Sequence, residues 1–227
     1  MQNNYHEMQI KLVCAQWLER NYGADNAGFL INEFSANNSS ARADLVYVSQ
    51  KEIVAVEIKS SKDNIKRLEN QVKFLKKIYN RVDVVTTPKH LMNARAICAR
   101  ENVGLHLISE KNIETVLKGR SRRIDPVALQ KIIFPLAIRQ KKNFVASEEQ
   151  YRIFLLKKYG STNKAVTKVQ QSSEIDASYI RNLNPHHVRR AQLQHRKMAY
   201  QNDLRELVEK IQSTQSSSNS SLEISTP

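Results

Sequence analysis

The sequence predicts an α/β fold, a mixed-sheet core with helices on both faces, followed by an all-α, basic C-terminal region. Three observations predict it. Short β-branched runs alternate with amphipathic helical patterns over residues 1–110. Three of the strand-like runs come first and the later ones are separated by helices, which needs both antiparallel and parallel pairing. After Ser109 strand signals vanish, and helical periodicity with positive charge takes over.

Taken in order, residues 5–21 read as a helix. Tyr5, Met8, Leu12, Ala15 and Leu18 recur at helical spacing, and Asn21-Tyr22-Gly23 is a stop signal. Phe29–Phe34 reads as a strand, and Asn37-Asn38-Ser39-Ser40 as turn material. Two apolar, β-branched runs follow, Arg42–Val48 and Ile53–Lys59, joined at Ser49–Glu52. Ser60 with Asp63 three residues on resembles a capping box. It opens a helix expected to run to Tyr79, with Ile65, Leu68, Val72, Leu75 and Tyr79 on one stripe. Val82–Thr86 is a strand stopped before Pro88, Leu91–Glu101 a helix, and Gly104–Ile108 the last strand. The expected order is α-β-β-β-α-β-α-β.

Beyond Ser109, Gly119-Arg120-Ser121-Arg122-Arg123 reads as a basic arm. Helical patterns cover about 126–140, 147–159, 162–171, 174–182 and 186–211. Residues 212–227 are rich in serine and are expected to be disordered. The domain reading is therefore 1–110, a basic helical region at 111–211, and the tail.

The chain has 227 residues and a formal net charge of +14, very unevenly spread. Residues 1–110 carry 15 basic against 12 acidic side chains, and residues 111–227 carry 21 against 10. A basic lobe on a near-neutral one points to a polyanionic partner, most simply nucleic acid. No apolar run reaches the roughly 20 residues of a membrane span, and Glu7, Lys11, Glu19 and Arg20 exclude a secretory leader in the first twenty residues. A soluble, cytoplasmic protein is expected. Cys14 and Cys98 read as buried, reduced thiols, without a CxxC pair to hold zinc.

The chemistry is concentrated in the paired runs. Asp44, Glu57 and Lys59 interrupt segments that otherwise look buried, and buried charges are unfavourable unless paired or bound to a metal. If the hairpin is centred on Gln50-Lys51, residue i faces residue 101 − i, so Asp44 lies opposite Glu57 and Arg42 opposite Lys59. Two carboxylates ~4 Å apart repel by roughly 4 kcal/mol at an effective dielectric near 20. A Mg²⁺ or Mn²⁺ ion reverses that sign and favours oxygen ligands. Glu57 and Lys59, two apart on a strand, share a face. A cation held by Asp44 and Glu57 would lower the pKa of a bound water, with Lys59 stabilising charge on a phosphate. Glu33 is the favoured third acidic group, as metal ligand or as an aid to water deprotonation, and Glu7 competes with it.

Asp44 followed by Glu57-Ile58-Lys59, in this element order, resembles the PD-(D/E)XK nuclease superfamily, which has the restriction-endonuclease-like fold. The stretch Glu33…Arg42-Ala43-Asp44…Glu57-Ile58-Lys59-Ser60…Asp63…Arg67-Leu68…Gln71…Tyr79 is similar to small bacterial and phage members. Ala43 stands where the superfamily's name has proline. The resemblance covers about residues 1–110. It implies an αβββαβ core, a Mg²⁺-dependent endonuclease that hydrolyses DNA phosphodiesters with a metal-activated water, Asp44 and Glu57 as metal ligands, and Lys59 as a catalytic group. It further implies that Gln71 lies beside the site. Some members keep the fold and only bind DNA, so a non-catalytic DNA- or RNA-binding protein is the alternative.

Other residues are weaker candidates. Arg42, Arg67, Arg122, Arg123, Arg181, Arg189 and Arg190 are candidate nucleic-acid contacts, although Arg67 is also placed to pair with Asp63 one turn earlier. His186, His187 and His195 match no usual ligand spacing. Gln170–Leu183 faintly resembles the second half of a helix-turn-helix, with Tyr179 and Arg181 exposed. The helical half is also a candidate for homodimerisation.

Overall fold

Strand after strand of this chain is buried on both faces, and the sheet they form is the frame of the fold. The computed structural model describes residues 7–22, 28–35, 42–109, 112–137, 147–160, 180–181 and 183–184, with a few positions between 190 and 202. The elements are α1 (Glu7–Tyr22), β1 (Phe29–Phe34), β2 (Ala43–Val48), β3 (Ile53–Lys59), α2 (Leu68–Ile78), β4 (Arg81–Thr86), α3 (Leu91–Glu101), β5 (Gly104–Ser109), β6 (Asn112–Leu117), α4 (Pro126–Ala137) and α5 (Glu148–Leu155).

The six strands lie in chain order in one sheet. β1, β2 and β3 pair antiparallel, β4 and β5 add in parallel, and β6 turns back antiparallel on β5. This is a mixed α/β architecture with helices on both faces. One face buries Val46, Val48, Ile53, Ala55, Val82 and Val84 against α2, α3, α4 and α5. The other buries Leu30, Leu45, Tyr47, Val54, Val56 and Ile58 against α1. Cys14 and Cys98 are buried free thiols, one on each side.

The hairpin register follows the 101 − i rule, running from Val48–Ile53 to Leu45–Val56. No glycine is needed at the turn because Ser49 organises it. The Ser49 hydroxyl accepts from the Glu52 N–H at 3.0 Å, and the Ser49 N–H donates to the Glu52 carbonyl at 3.0 Å. That is the local hydrogen bonding by which serine substitutes for a glycine turn.

Three expectations are corrected. The helix after Lys59 begins at Leu68, not Ser60. Asp63 accepts both the N–H and the hydroxyl of Ser60, at 2.7 and 2.5 Å, which closes a turn rather than opening a helix. Asn64 then caps the short 3₁₀ turn Ile65–Arg67 that leads into α2. A sixth strand, β6, lies where only helices are expected. And the break at residue 110 is no boundary in packing. The first compact unit runs through Pro185, with Leu129, Ile132, Tyr151 and Leu155 in one core and Ile180 and Leu183 in the other.

The 180–184 segment docks on β1, an edge strand. The Asn32 N–H donates to the Leu183 carbonyl at 3.0 Å, and the Asn32 side-chain amide donates to the Ile180 carbonyl at 2.9 Å. The second unit, His186–Pro227, holds few described positions; Arg190, Leu193 and Met198 are helical and exposed there. Most of the helical patterns at 162–182 and 186–211, His186, His187, His195, Tyr179, Arg189 and the serine-rich tail lie outside the described residues. No helix among the described residues is long and apolar enough to cross a membrane.

Candidate functional site

β2 and β3 pair regularly up to Leu45–Val56. Beyond that point a side chain makes the cross-strand bond. The Ile58 N–H donates to Asp44 Oδ2 at 2.7 Å. Extending the register by one residue sets Asp44 opposite Glu57, at the end of β3 that runs into the Ser60 turn.

Glu57 and Lys59 project to one face, as period-two geometry requires. Lys59 Nζ donates to Glu57 Oε1 at 2.7 Å, with the two side chains only 7% and 2% exposed. Gln71, on α2, completes the group. Its Nε2 donates to Glu57 Oε1 at 2.7 Å, and its Oε1 accepts from Lys59 Nζ at 2.9 Å. A buried ion pair is stable only when its remaining polar atoms are satisfied, because desolvation consumes most of the Coulomb gain. Here one atom is not satisfied. Glu57 Oε2 is buried without a hydrogen-bond partner.

Burial, and then the neighbouring Asp44 charge, push the Glu57 carboxyl up to about 7, against the pull of Lys59 and Gln71. Burial likewise raises the Asp44 carboxyl, opposed by the Ile58 N–H and by Lys11 and Lys59. Two carboxyls held at elevated pKa beside an ammonium form an electrostatically incomplete site.

Glu33 is placed differently from expectation. It sits at φ 56°, a left-handed backbone rare outside glycine. The strand's alternation slips there, so that Phe29, Ile31 and Phe34 all enter one core. The Glu33 carboxylate accepts from Lys11 Nζ at 3.0 Å and from the Asn184 amide at 3.0 Å, and lies 3.3 Å from Arg42. Burial opposes its ionisation, but Lys11, Arg42 and Asn184 outweigh burial and hold its pKa below the ordinary value. Glu7 is mostly exposed and pairs with Lys11 at 2.9 Å. Among the described residues, no group of three His, Cys, Asp or Glu side chains is spaced to hold a metal ion. Asp44, Glu57, Lys59 and Gln71 are therefore brought together, while Glu33 is engaged by cations.

Two residues of this arrangement escape the sequence reading. Lys11 is 3% exposed and lies between Glu7 and Glu33. Its signal is positional, because Lys11 shares a helical stripe with Cys14, Ala15 and Leu18, all buried. Asn184 has no such signal, since 151 positions separate it from Glu33.

Among the arginine candidates, Arg42 is half-exposed beside Glu33. Arg67 makes no salt bridge to Asp63, whose Oδ2 accepts the Ser60 N–H and hydroxyl. Arg122 is bound to backbone, donating to the Asn102 carbonyl at 2.7 Å, which makes it a strap for the arm. Arg123, Arg181 and Arg190 are exposed.

Comparison with known proteins places the chain. The model of the family described as bacteriophage P4 protein cII matches residues 1–225. The chain belongs to the bacteriophage P4 protein cII family. Protein cII of Enterobacteria phage P4 is 36% identical over 83 residues. That match covers 37% of this chain and 31% of the phage protein, so the chain spans about a third of that relative's length. A solved Silicibacter pomeroyi protein of unknown function shares 20% identity over 52% of this chain and 81% of its own. Its TM-score of 0.35 is too low to bear on the fold of this cII-family member.

Proposed function

We propose that this cII-family chain is a metal-dependent nuclease of the PD-(D/E)XK kind, hydrolysing DNA phosphodiesters. The observation that carries the reading is the half-buried Asp44 carboxylate next to buried Glu57 and Lys59, with Glu57 Oε2 lacking a partner. The order α1-β1-β2-β3-α2-β4, with three antiparallel strands and then a parallel one, supports it.

The donor set fits a hard divalent cation such as Mg²⁺ or Mn²⁺. An unpartnered carboxylate oxygen and a second carboxylate beside it are the ligand type such ions take, with waters filling the rest. When bound, the ion supplies charge neutralisation and water activation. The chain's own residues do the remainder. Asp44 and Glu57 would hold the ion. Lys59 spends two of its three N–H bonds on Glu57 and Gln71 and keeps one to offer a phosphate oxygen. Gln71 fixes both partners. Glu33 orders Lys11 and Arg42 beside them.

The test is nicking of supercoiled and branched DNA in Mg²⁺ or Mn²⁺, with and without EDTA. Lys59→Ala, Glu57→Ala and Asp44→Ala should each lower cutting by about a hundredfold or more. Metal-dependent cutting that survives Lys59→Ala overturns the assignment.

A second reading is a nucleic-acid-binding protein without catalysis, acting on DNA or RNA. Two observations favour it: Lys59 is tightly held by Glu57 and Gln71, and the described residues include no three-ligand group. Salt-sensitive binding with no cutting in either metal is its expected result.

A further inference from the structure

The turn between β3 and α2 gathers three cations against one acid. Lys62, Lys66 and Arg67 are exposed, and their side chains hold no ion pair among the described residues. The one carboxylate in the turn, Asp63, accepts the Ser60 N–H and hydroxyl at Oδ2 and makes no ion pair with these three cations. The turn is also held in place. Lys89, from the β4–α3 connection, donates to the Ser61 carbonyl at 2.6 Å, and the Asn64 side chain accepts from the Lys66 N–H at 2.9 Å. Ser60 follows Lys59 directly, so these cations border the site.

Arg67 has a defined relation to that site. It lies four residues before Gln71, hence on the same helical side, about 6 Å further along the axis. Gln71 reaches inward to Glu57 and Lys59, while Arg67 stays exposed. Unpaired cations on a fixed turn lose little when a polyanion replaces their water and counterions, and phosphate contacts of this kind dominate nucleic-acid affinity.

We propose that the Ser60–Arg67 turn is a phosphate-binding rim. Lys62, Lys66 and Arg67 receive the backbone of a nucleic-acid strand, and Lys59 faces a different phosphate of that strand. The substrate is then a polynucleotide rather than a mononucleotide. This rests on the reading of the Lys59 site as one that acts on phosphodiesters.

The experiment measures binding in EDTA of labelled single-stranded and duplex DNA by fluorescence anisotropy across a salt series. The chains compared are the unaltered one, Lys62→Gln/Lys66→Gln/Arg67→Gln, the single Arg67→Gln, and Lys118→Gln as a control beyond β6 on the far edge of the sheet. Circular dichroism melting checks each fold, and Arg67→Gln, at an exposed position, carries the test if the triple variant melts early. The triple variant should lower the slope of log affinity against log salt by about 2 to 3, and Arg67→Gln by about 1; Lys118→Gln should not. An unaltered slope overturns the rim, as does an unaltered chain that binds neither DNA, or one that binds polyglutamate as tightly as DNA. Nicking assays separate the two readings. Slope loss without cutting by the unaltered chain leaves the rim and removes the nuclease, whereas cutting with an unaltered slope does the reverse.

Discussion

The Ile58 backbone N–H donates to the Asp44 carboxylate at 2.7 Å, so a side chain makes the cross-strand bond that follows the last regular rung of the β2–β3 ladder. Asp44 is thereby both a structural acceptor and a candidate ligand, and the two roles separate by substitution. Asp44→Asn keeps an acceptor oxygen. Asp44→Ala leaves the Ile58 N–H unpaired, which should cost about 1–3 kcal/mol. Denaturant titration should rank Asn above Ala in stability, while both lower cutting by about a hundredfold or more.

Glu57 should make stability depend on pH in a sense opposite to most carboxylates. Its folded pKa, about 7, stands above the ordinary 4.5. The stability it contributes is complete below 4.5 and is lost as pH rises through 7. Glu33 acts the other way, but its contribution is lost only as pH falls below 4.5. Thermal melts without metal between pH 5 and 8 should therefore decline, and Glu57→Gln should flatten that decline.

Metal affinity carries the same signature. A cation at Asp44 and Glu57 competes with the proton on Glu57, so Mn²⁺ affinity should rise about tenfold per pH unit below 7 and level off above it. Calorimetry in buffers of different ionisation heat should detect the released proton. Pairing without release would remove Glu57 as a ligand.

Gln71 touches both Glu57 and Lys59 and is a positioning residue. Gln71→Leu should lower turnover by about 10- to 100-fold with little change in KM, the usual cost of losing such support. Gln71→Glu keeps an acceptor for Lys59 but sets a carboxylate against Glu57 Oε1 where the amide donated, so it should lose at least as much. Turnover unchanged in Gln71→Leu would mean that Gln71 only packs.

A second buried charge cluster is structural. Asp83 is fully buried, 3.0 Å from Arg81 Nε, 3.3 Å from the Tyr22 hydroxyl and 3.3 Å from His106. A Cβ on Gly104 would meet Asp83 Oδ1 at 1.8 Å. Gly104→Ala should thus destabilise by about 1–3 kcal/mol, an overpacking cost, seen as a lower denaturation midpoint with cutting unchanged at permissive temperature.

What was legible in the sequence follows from local chemistry. The Val48–Ile53 turn sets the register that brings Asp44 to Glu57, and period-two alternation sets Lys59 beside Glu57. Non-local or masked signals were not legible. β6 is a half-exposed edge strand, Asn-Ile-Glu-Thr-Val-Leu, whose short alternation is submerged in surrounding charge. Glu33 reads as the third acid of the site, on the preceding strand, but its positive φ turns the carboxylate to Lys11, and no pattern of side chains announces that backbone. Asn32 and Asn184 gain meaning only when residues 180–184 arrive from far along the chain.

That arrival has a practical side. Leu183 and Ile180 cap backbone and side-chain donors of the outermost strand and fill its apolar socket. A truncated protein ending before them would present a bare, adhesive sheet margin, the kind that seeds self-association. Shortening this molecule to its first 110 or 160 positions should thus yield precipitate rather than a well-behaved fragment.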